Sequence, residues 1–301
     1  MRDLANKTAF VTGGASGIGF GMARAFLDAG MNVAIADMRI DKLTDAGDRL
    51  GAADRLLAIP VDVSDRAAML AAAKDVTRRF GNVHLLCNNA GVIGQTSIDE
   101  VGPEEWDWLV SVNLTGVMNG IFAFLPGMKA HGDGGHIVNT SSMAGILPLP
   151  SPGGTYTTLK FAVRGLSDSL RLALAAHGIG VSMFCPGLVR SDLHLSAETL
   201  IPEAVRGTTG LPETSRMQGG VNPGDAGMDP LEAGRCALEG IRANKPWIFS
   251  HGEFVDEVRA EFDAILAAFP RDQAPDEGRL FFEERRREAI VAARHLADRL
   301  A

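Results

Sequence analysis

Thr12-Gly13-Gly14-Ala15-Ser16-Gly17-Ile18-Gly19 follows the short apolar run Thr8–Thr12 and leads into a helical pattern over Gly19–Ala29. A strand that turns through closely spaced glycines into a helix is the geometry of a phosphate-binding βα unit. Glycine answers three needs there: positive φ, close approach of the backbone to a pyrophosphate, and tight packing of helix on strand. The helix N-terminus then offers free N–H groups and a partial positive charge to the phosphates. A tight βα turn with no ligand is the plainer reading of so short a motif. The strand before it and the helix after it favour the nucleotide.

The alternation continues outward from that turn. Strand-like runs at Asn32–Ala36, Leu56–Val61, Val83–Asn88, His136–Ser141, Val181–Cys185 and Trp247–Ser250 are separated by helical stretches near Asp41–Leu50, Ser64–Phe80, Glu104–Phe124, Tyr156–His177 and Leu231–Asn244. This is the pattern of βαβ units on a parallel sheet, here an α/β domain of seven strands over residues 1–250. Ser64 suits an N-cap and Pro103 a first helical turn. Residues 188–228 are rich in Gly and Pro with scattered Leu, Thr and Met, and read as a mobile substrate lid. A helical C-terminal extension, 251–301, follows with segments at Glu253–Phe269 and Glu277–Leu300 and breaks at Pro270 and Pro275. Phe282, Ala289, Ala293, Leu296 and Leu300 form one apolar stripe on its last helix, expected to dock on the same domain or on a partner subunit.

Composition bounds the function. A chain of 301 residues with 46% apolar content can bury a full core and is not disordered. The net charge of −8 argues against nucleic acid or an anionic membrane surface as a partner. The basic run Arg285–Arg287 is flanked by Glu283, Glu284 and Glu288 and reads as a solvated helix face. No stretch approaches the ~18 apolar residues of a spanning helix, and the N-terminus lacks an apolar signal core, so a cytoplasmic location is expected. Cys87, Cys185 and Cys236 are odd in number without CxxC spacing, which supports neither a disulfide framework nor a metal site.

Asp37 ends the second strand, 18 residues beyond Gly19, where a carboxylate can accept both ribose hydroxyls of an adenosine. It would repel a 2′-phosphate, so NAD is expected rather than NADP. Arg39 is the counter-argument, since it could swing to neutralise such a phosphate. Tyr156 and Lys160 stand four apart at the start of a helical stretch, on one face. A phenol with pKa ~10 is a poor base at neutral pH. One positive charge at about 4 Å in an effective dielectric near 20 is worth ~4 kcal/mol, enough to bring it near 7. An oxidised nicotinamide would push in the same direction.

The spacing Gly13-x3-Gly17-x-Gly19, with Tyr156-x3-Lys160, resembles the short-chain dehydrogenase/reductase family over about residues 7–250. The resemblance implies a doubly wound, Rossmann-type fold and reversible hydride transfer at a secondary alcohol or ketone, with Tyr156 as general acid/base and Lys160 lowering its pKa and binding ribose. It implies that Ser142, 14 residues before Tyr156, stabilises the reacting oxygen, with Ser141 as the alternative, and that Asn113 braces a proton-relay water. Cofactor contacts are implied for Gly13, Ser16, Gly17, Ile18 and Gly19, for Asp37, and for Asp62-Val63 at the adenine. Further contacts are implied for Asn89-Ala90-Gly91, for Tyr156 and Lys160, for Pro186, Gly187 and Val189, and for Ser191 in place of the usual Thr. Leu159 departs from the small residue usual before the lysine. The family commonly assembles as homo-oligomers, so a dimer or tetramer is expected.

The segments Gly19-Phe20-Gly21, Gly116–Gly120, Gly134–Asn139 and His251–Pro270 further resemble the bacterial Cα-dehydrogenases of lignin β-aryl ether breakdown, which oxidise a benzylic alcohol with NAD. The expected pocket wall is apolar: Ile146 to Pro150, then Leu188, Leu193, Leu195 and Leu200. It suits a bulky, largely neutral substrate. Arg190, Arg206 and Arg216 are in range but not obviously placed to clamp a carboxylate, and His194 reads as a solvated loop histidine. The competing readings are a ketoreductase, a hydroxysteroid or 3-oxoacyl-type dehydrogenase of the same family, and a non-catalytic dinucleotide-binding protein. That last has no need for Asn113, Ser142, Tyr156 and Lys160 together.

Overall fold

Seven parallel strands build the sheet: β1 (Thr8–Thr12), β2 (Asn32–Asp37), β3 (Leu56–Pro60), β4 (Val83–Asn88), β5 (Gly135–Thr140), β6 (Ile179–Cys185) and β7 (Trp247–Phe249). The computed structural model describes residues 1–300 apart from 2, 95, 151–152, 207–225, 272–273 and 275. The strand order is β3-β2-β1-β4-β5-β6-β7, so the winding reverses between β1 and β4. The central strands are apolar on both faces, as β1 shows with all five residues buried. Both faces must therefore be covered.

On one face lie α1 (Gly17–Asp28), α2 (Ile40–Leu50) and α7 (Pro230–Arg242), burying Met22, Phe26, Leu43, Ala233 and Ile241 against Val11, Ile35 and Phe184. On the other lie α3 (Arg66–Phe80), α4 (Pro103–Val110), α5 (Gly116–His131) and α6 (Gly154–Leu174). There Phe10 and Phe124 meet with ring centroids 4.3 Å apart, inside a cluster with Met69, Val76, Ile121 and Ile137. Each such buried side chain contributes roughly 1.5–3 kcal/mol. The expected doubly wound α/β fold is the observed one.

Details differ at the ends of elements. Asp65, not Ser64, caps α3, its carboxylate accepting from the N–H groups of Ala67 and Ala68; Ser64 instead hydrogen-bonds Asp62. Pro103 does open α4. The helix expected over Glu104–Phe124 runs on to His131, with a π-type turn at Ser111–Thr115 joining α4 to α5. The 29 residues Pro103–His131 are together long and apolar enough to cross a membrane, which overturns the expectation that no stretch comes close. In the fold they form a sheet-covering helix, with Asn113 and Asn119 fully buried.

In the extension, α8 (Val255–Ala267) has no buried residue, while α9 (Glu277–Asp298) meets α6 near its C-terminus. The touching face is Ile290, Ala293, Ala297 and Leu300, with Ala297 buried. Of the expected stripe, Ala293 and Leu300 lie on this face, while Phe282 and Leu296 are exposed. Arg171 of α6 secures the contact by donating to Val181 O, to Asn244 Oδ1 and O, and to the Asp298 carboxylate.

Candidate active site

At the carboxyl ends of β1 and β4, where the winding reverses, a cleft of about 1550 Å³ opens. That is where an open α/β sheet binds its ligand. Its floor is the glycine turn. Gly13 and Gly17 have φ of 63° and 49°, and a Cβ on Gly19 would sit 2.1 Å from Gly13 O. Asn89 holds the turn through Nδ2 to Thr12 O, while Thr12 Oγ1 accepts from the N–H groups of Asn89 and Ala90. Gly13, Ser16, Gly17, Ile18, Asp37, Asp62, Val63, Asn89, Ala90, Gly91, Pro186, Gly187, Val189 and Ser191 all line the cleft, as do Tyr156 and Lys160. Gly19 lies behind the turn.

The end of the cleft beside β2 is more crowded than expected. Asp37 is 6% exposed, and Arg39 lies across it, donating Nε to Oδ1 at 3.1 Å and Nη2 to Oδ2 at 3.3 Å. Arg39 also reaches Ser16 Oγ at 2.9 Å and Asp192 at 3.6 Å. It is therefore a member of this end of the cleft and not a free surface arginine.

At the opposite end Tyr156, Lys160 and Ser142 converge. Ser142 lies two residues beyond β5 and caps the short turn Met143–Gly145, its Oγ accepting from Ala144 N–H at 3.1 Å, and it stands within hydrogen-bonding reach of the Tyr156 phenol. Ser141 Oγ is engaged with Lys160 O, which leaves Ser142 as the serine beside the phenol. Lys160 Nζ lies 5.2 Å from the Tyr156 ring centroid and donates to Thr140 O at 3.0 Å. Both groups are buried, with consequences opposite to the sequence expectation. Burial pushes the phenol up to about 12, only partly offset by the Ser142 hydrogen bond, and pushes the Lys160 ammonium down to about 8. In the protein alone desolvation of the phenolate thus outweighs the ammonium, which sits over the ring and is engaged by a carbonyl.

Asn113 occupies the π-type turn. Its Nδ2 donates to Leu109 O and Val92 O, and its Oδ1 accepts from Val92 N–H. Taking the carbonyl four residues back competes with the helical ladder and accounts for the widened turn. A Cβ on Gly91 would lie 3.0 Å from Asn113 Oδ1 and 3.5 Å from Lys160 Nζ, which places the two around one point.

The outer wall is largely apolar, with Leu149, Pro150, Leu188, Leu193, Leu195 and Leu200 at the cleft. Ile146 and Leu147 instead pack beneath it. Sequence reasoning missed Trp108 and Ser111 on the α4 side and Phe254 from the extension. Only their position in the fold marks them. His194 is exposed and lines the cleft, and Arg190 is paired with Asp229. Residues 207–225 of the expected lid, including Arg216, and the Arg206 side chain lie outside the described residues. The lid's neck is described: Val189 bridges Met228, and Arg190 N–H donates to Met228 O. Among the described residues no His, Cys, Asp or Glu cluster could hold a metal.

A doubly wound sheet with a glycine turn at its reversal point, and a buried phenol and lysine with a half-buried serine beside it, defines a dinucleotide-dependent oxidoreductase. Residues 7–199 match the family model described as short chain dehydrogenase. The chain is 33% identical over 296 residues to a C alpha-dehydrogenase of a Sphingobium species, covering 97% of this chain and 94% of that one. It is 38% identical over 192 residues to a 3-alpha-(or 20-beta)-hydroxysteroid dehydrogenase of Mycobacterium bovis, covering 63% and 72%. Among solved structures it resembles a short-chain dehydrogenase/reductase from Burkholderia phymatum in complex with NAD, with TM-score 0.80, 31% identity and 92% and 100% coverage. It also resembles the apo form of LigO from a Sphingobium species, with TM-score 0.76, 34% identity and 96% and 98% coverage. The chain belongs to the short-chain dehydrogenase family and is a dehydrogenase acting on a CH–OH group with a nicotinamide dinucleotide.

Proposed function

We propose that the protein is an NAD-dependent dehydrogenase that converts the benzylic alcohol of a bulky, neutral aryl ether into a ketone. The observation that carries this reading is the convergence of Tyr156, Ser142 and Lys160 in a cleft walled by Trp108, Leu149, Leu195 and Phe254. Apolar and aromatic walls favour an aryl substrate. Similarity to a C alpha-dehydrogenase over almost the whole chain, extension included, supports the same class.

In this reading the alcohol oxygen is held by the Ser142 hydroxyl and gives its proton to Tyr156 as the carbinol carbon gives up a hydride. The bound dinucleotide supplies the hydride acceptor and a positive charge beside the phenol. Lys160 holds ribose and steadies the phenolate, and Asn113 braces the relay water. The residues lining the cleft fit a dinucleotide: the N-terminus of α1 and the turn Gly13–Gly19 would take its pyrophosphate, Asp62 and Val63 its adenine, and Asn89 to Gly91, Pro186, Gly187, Val189 and Ser191 its nicotinamide half. Asp37 would take the adenosine ribose and set the preference for NAD.

Residues 188–228 act as the lid on a 1–250 catalytic domain, and 251–301 as its extension. We place the enzyme in the cytoplasm as a homo-oligomer, dimer or tetramer. Phe122 on α5 and Phe161 on α6 support the assembly, being 46% and 38% exposed.

The test is NADH formation with a β-aryl ether carbinol beside steroid and aliphatic alcohols. The expected kcat/KM for the carbinol is at least about tenfold higher than for the others, a difference of ~1.4 kcal/mol, and higher with NAD than with NADP. No turnover of any aryl carbinol removes the substrate, and an NAD/NADP ratio below one removes the cofactor preference. Preference for the steroid would favour the hydroxysteroid reading, which the 38% identity across the core supports.

A further inference from the structure

Between β7 and α8 the chain runs Ser250-His251-Gly252-Glu253-Phe254, the first residues of the extension. His251 reaches back 64 residues to the turn that follows β6. Its Nδ1 accepts from Gly187 N–H at 3.1 Å and lies 2.7 Å from Ser250 Oγ. Two donors converging on Nδ1 leave the ring proton on Nε2, which donates to Leu188 O at 3.1 Å. One imidazole therefore bridges the N–H of Gly187 and the carbonyl of Leu188.

The contact is also steric. A Cβ on Gly187 would lie 2.8 Å from His251 Cγ and 2.9 Å from Phe254 Cε2, so the ring packs on the turn only because residue 187 has no side chain. Phe254 packs against the buried group Met143, Ile146, Met183 and Cys185 and lines the cleft. Met143 N–H in turn donates to Pro186 O. The turn Pro186–Leu188 is thus held from the β5 side by Met143 and from the extension by His251, and both it and Phe254 face the cleft.

We propose that the extension is a working part of the active site, and that His251 is a positioning residue: it sets the Pro186–Leu188 turn against the nicotinamide half of the cleft. The inference rests on the hydride-transfer reading of this site but not on which alcohol is oxidised. His251 touches no reacting atom and acts through the turn. It fixes the distance and angle of hydride transfer, to which rates are steeply sensitive.

The experiment uses the full chain and the variants His251→Ala and His251→Asn, with amide hydrogen exchange of residues 185–190 read alone and with NAD, beside kinetics on whichever alcohol the wild type oxidises. In His251→Ala, exchange across 185–190 is expected to rise about tenfold or more while the central strands keep their protection. On the same variant kcat is expected to fall about tenfold with a larger isotope effect from deuterium at the carbinol carbon, and Kd for NAD to stay within about threefold. The Asn variant, able to accept from Gly187 N–H, recovers part of both losses. Unchanged exchange at 185–190 in the Ala variant overturns the proposal whatever the substrate, as does a fall in kcat that Asn does not relieve. Failure of the wild type to oxidise any alcohol would instead remove the hydride-transfer reading, and the exchange result would still decide whether His251 holds the turn.

Discussion

Tyr156 is the one tyrosine of the chain, so tyrosinate absorbance reports on it alone. The surrounding protein favours the neutral phenol, pushed up to about 12 by burial. We expect no tyrosinate signal in the free protein until well above pH 10, and a shift to below 10 on adding NAD, whose positive charge opposes the desolvation. A phenol that titrates alike with and without NAD would remove its acid/base role. Spacing puts Tyr156 and Lys160 on one helix face and the family resemblance adds Ser142, but neither signal shows the burial that surrounds the phenol and the ammonium. Four residues of helix bring Lys160 beside the ring, whereas only the fold reveals that Thr140 O takes the ammonium. The preference for Ser142 over Ser141 comes from the family resemblance, and only the fold gives their partners, Ala144 N–H for Ser142 and Lys160 O for Ser141. Arg39 was misjudged for a similar reason: nothing in sequence shows that Ser16 and Asp192 come within its reach. Leu159, the departure from the family pattern, is accommodated at 2% exposure among Val92 and Leu109.

Strands and helices of the core were readable because both sheet faces are buried, which concentrates apolar residues into short runs. Departures came where a side chain competes with the backbone. Asn113 widens the helix at 111–115, and Asp65 outcompetes Ser64 for the start of α3 because its carboxylate reaches two N–H groups. The apolar stripe of α9 could not reveal how much of that helix meets the core. It meets the core through the buried bond from Asn244 Nδ2 to Ala297 O and through the ion pair of Asp298 with Arg171, whose side chain is 8% exposed while that of Asp298 is 64% exposed. The two ends of this ion pair should therefore differ in worth. Arg171→Ala leaves Val181 O and Asn244 Oδ1 without their donor and is expected to cost about 2–4 kcal/mol. Asp298→Ala, at a solvated rim, is expected to cost at most about 1 kcal/mol. Urea unfolding midpoints of the two variants measure the contrast, and equal small losses would show that α9 docks by other contacts.

Across the whole molecule, strand order brings together what the chain keeps apart. The reversal between β1 and β4 opens the cleft, and β6 and β7 carry the Pro186–Leu188 turn and His251 to its rim. The glycine turn pointed to the cleft and the apolar run and lid to part of its wall, but nothing in sequence brought Trp108 or Phe254 to it. The extension was legible as helical, yet its contribution to the site depends on a contact 64 residues apart in sequence. The central claim is that this cleft moves a hydride from a secondary alcohol with Tyr156 taking the proton. Its most direct test is NADH formation by the wild type and Tyr156→Phe on the same alcohol, with NAD binding measured in parallel. The account predicts that the variant binds NAD normally and loses at least about a hundredfold in kcat, as expected for removal of a general acid/base; a variant within about threefold of wild type would contradict it.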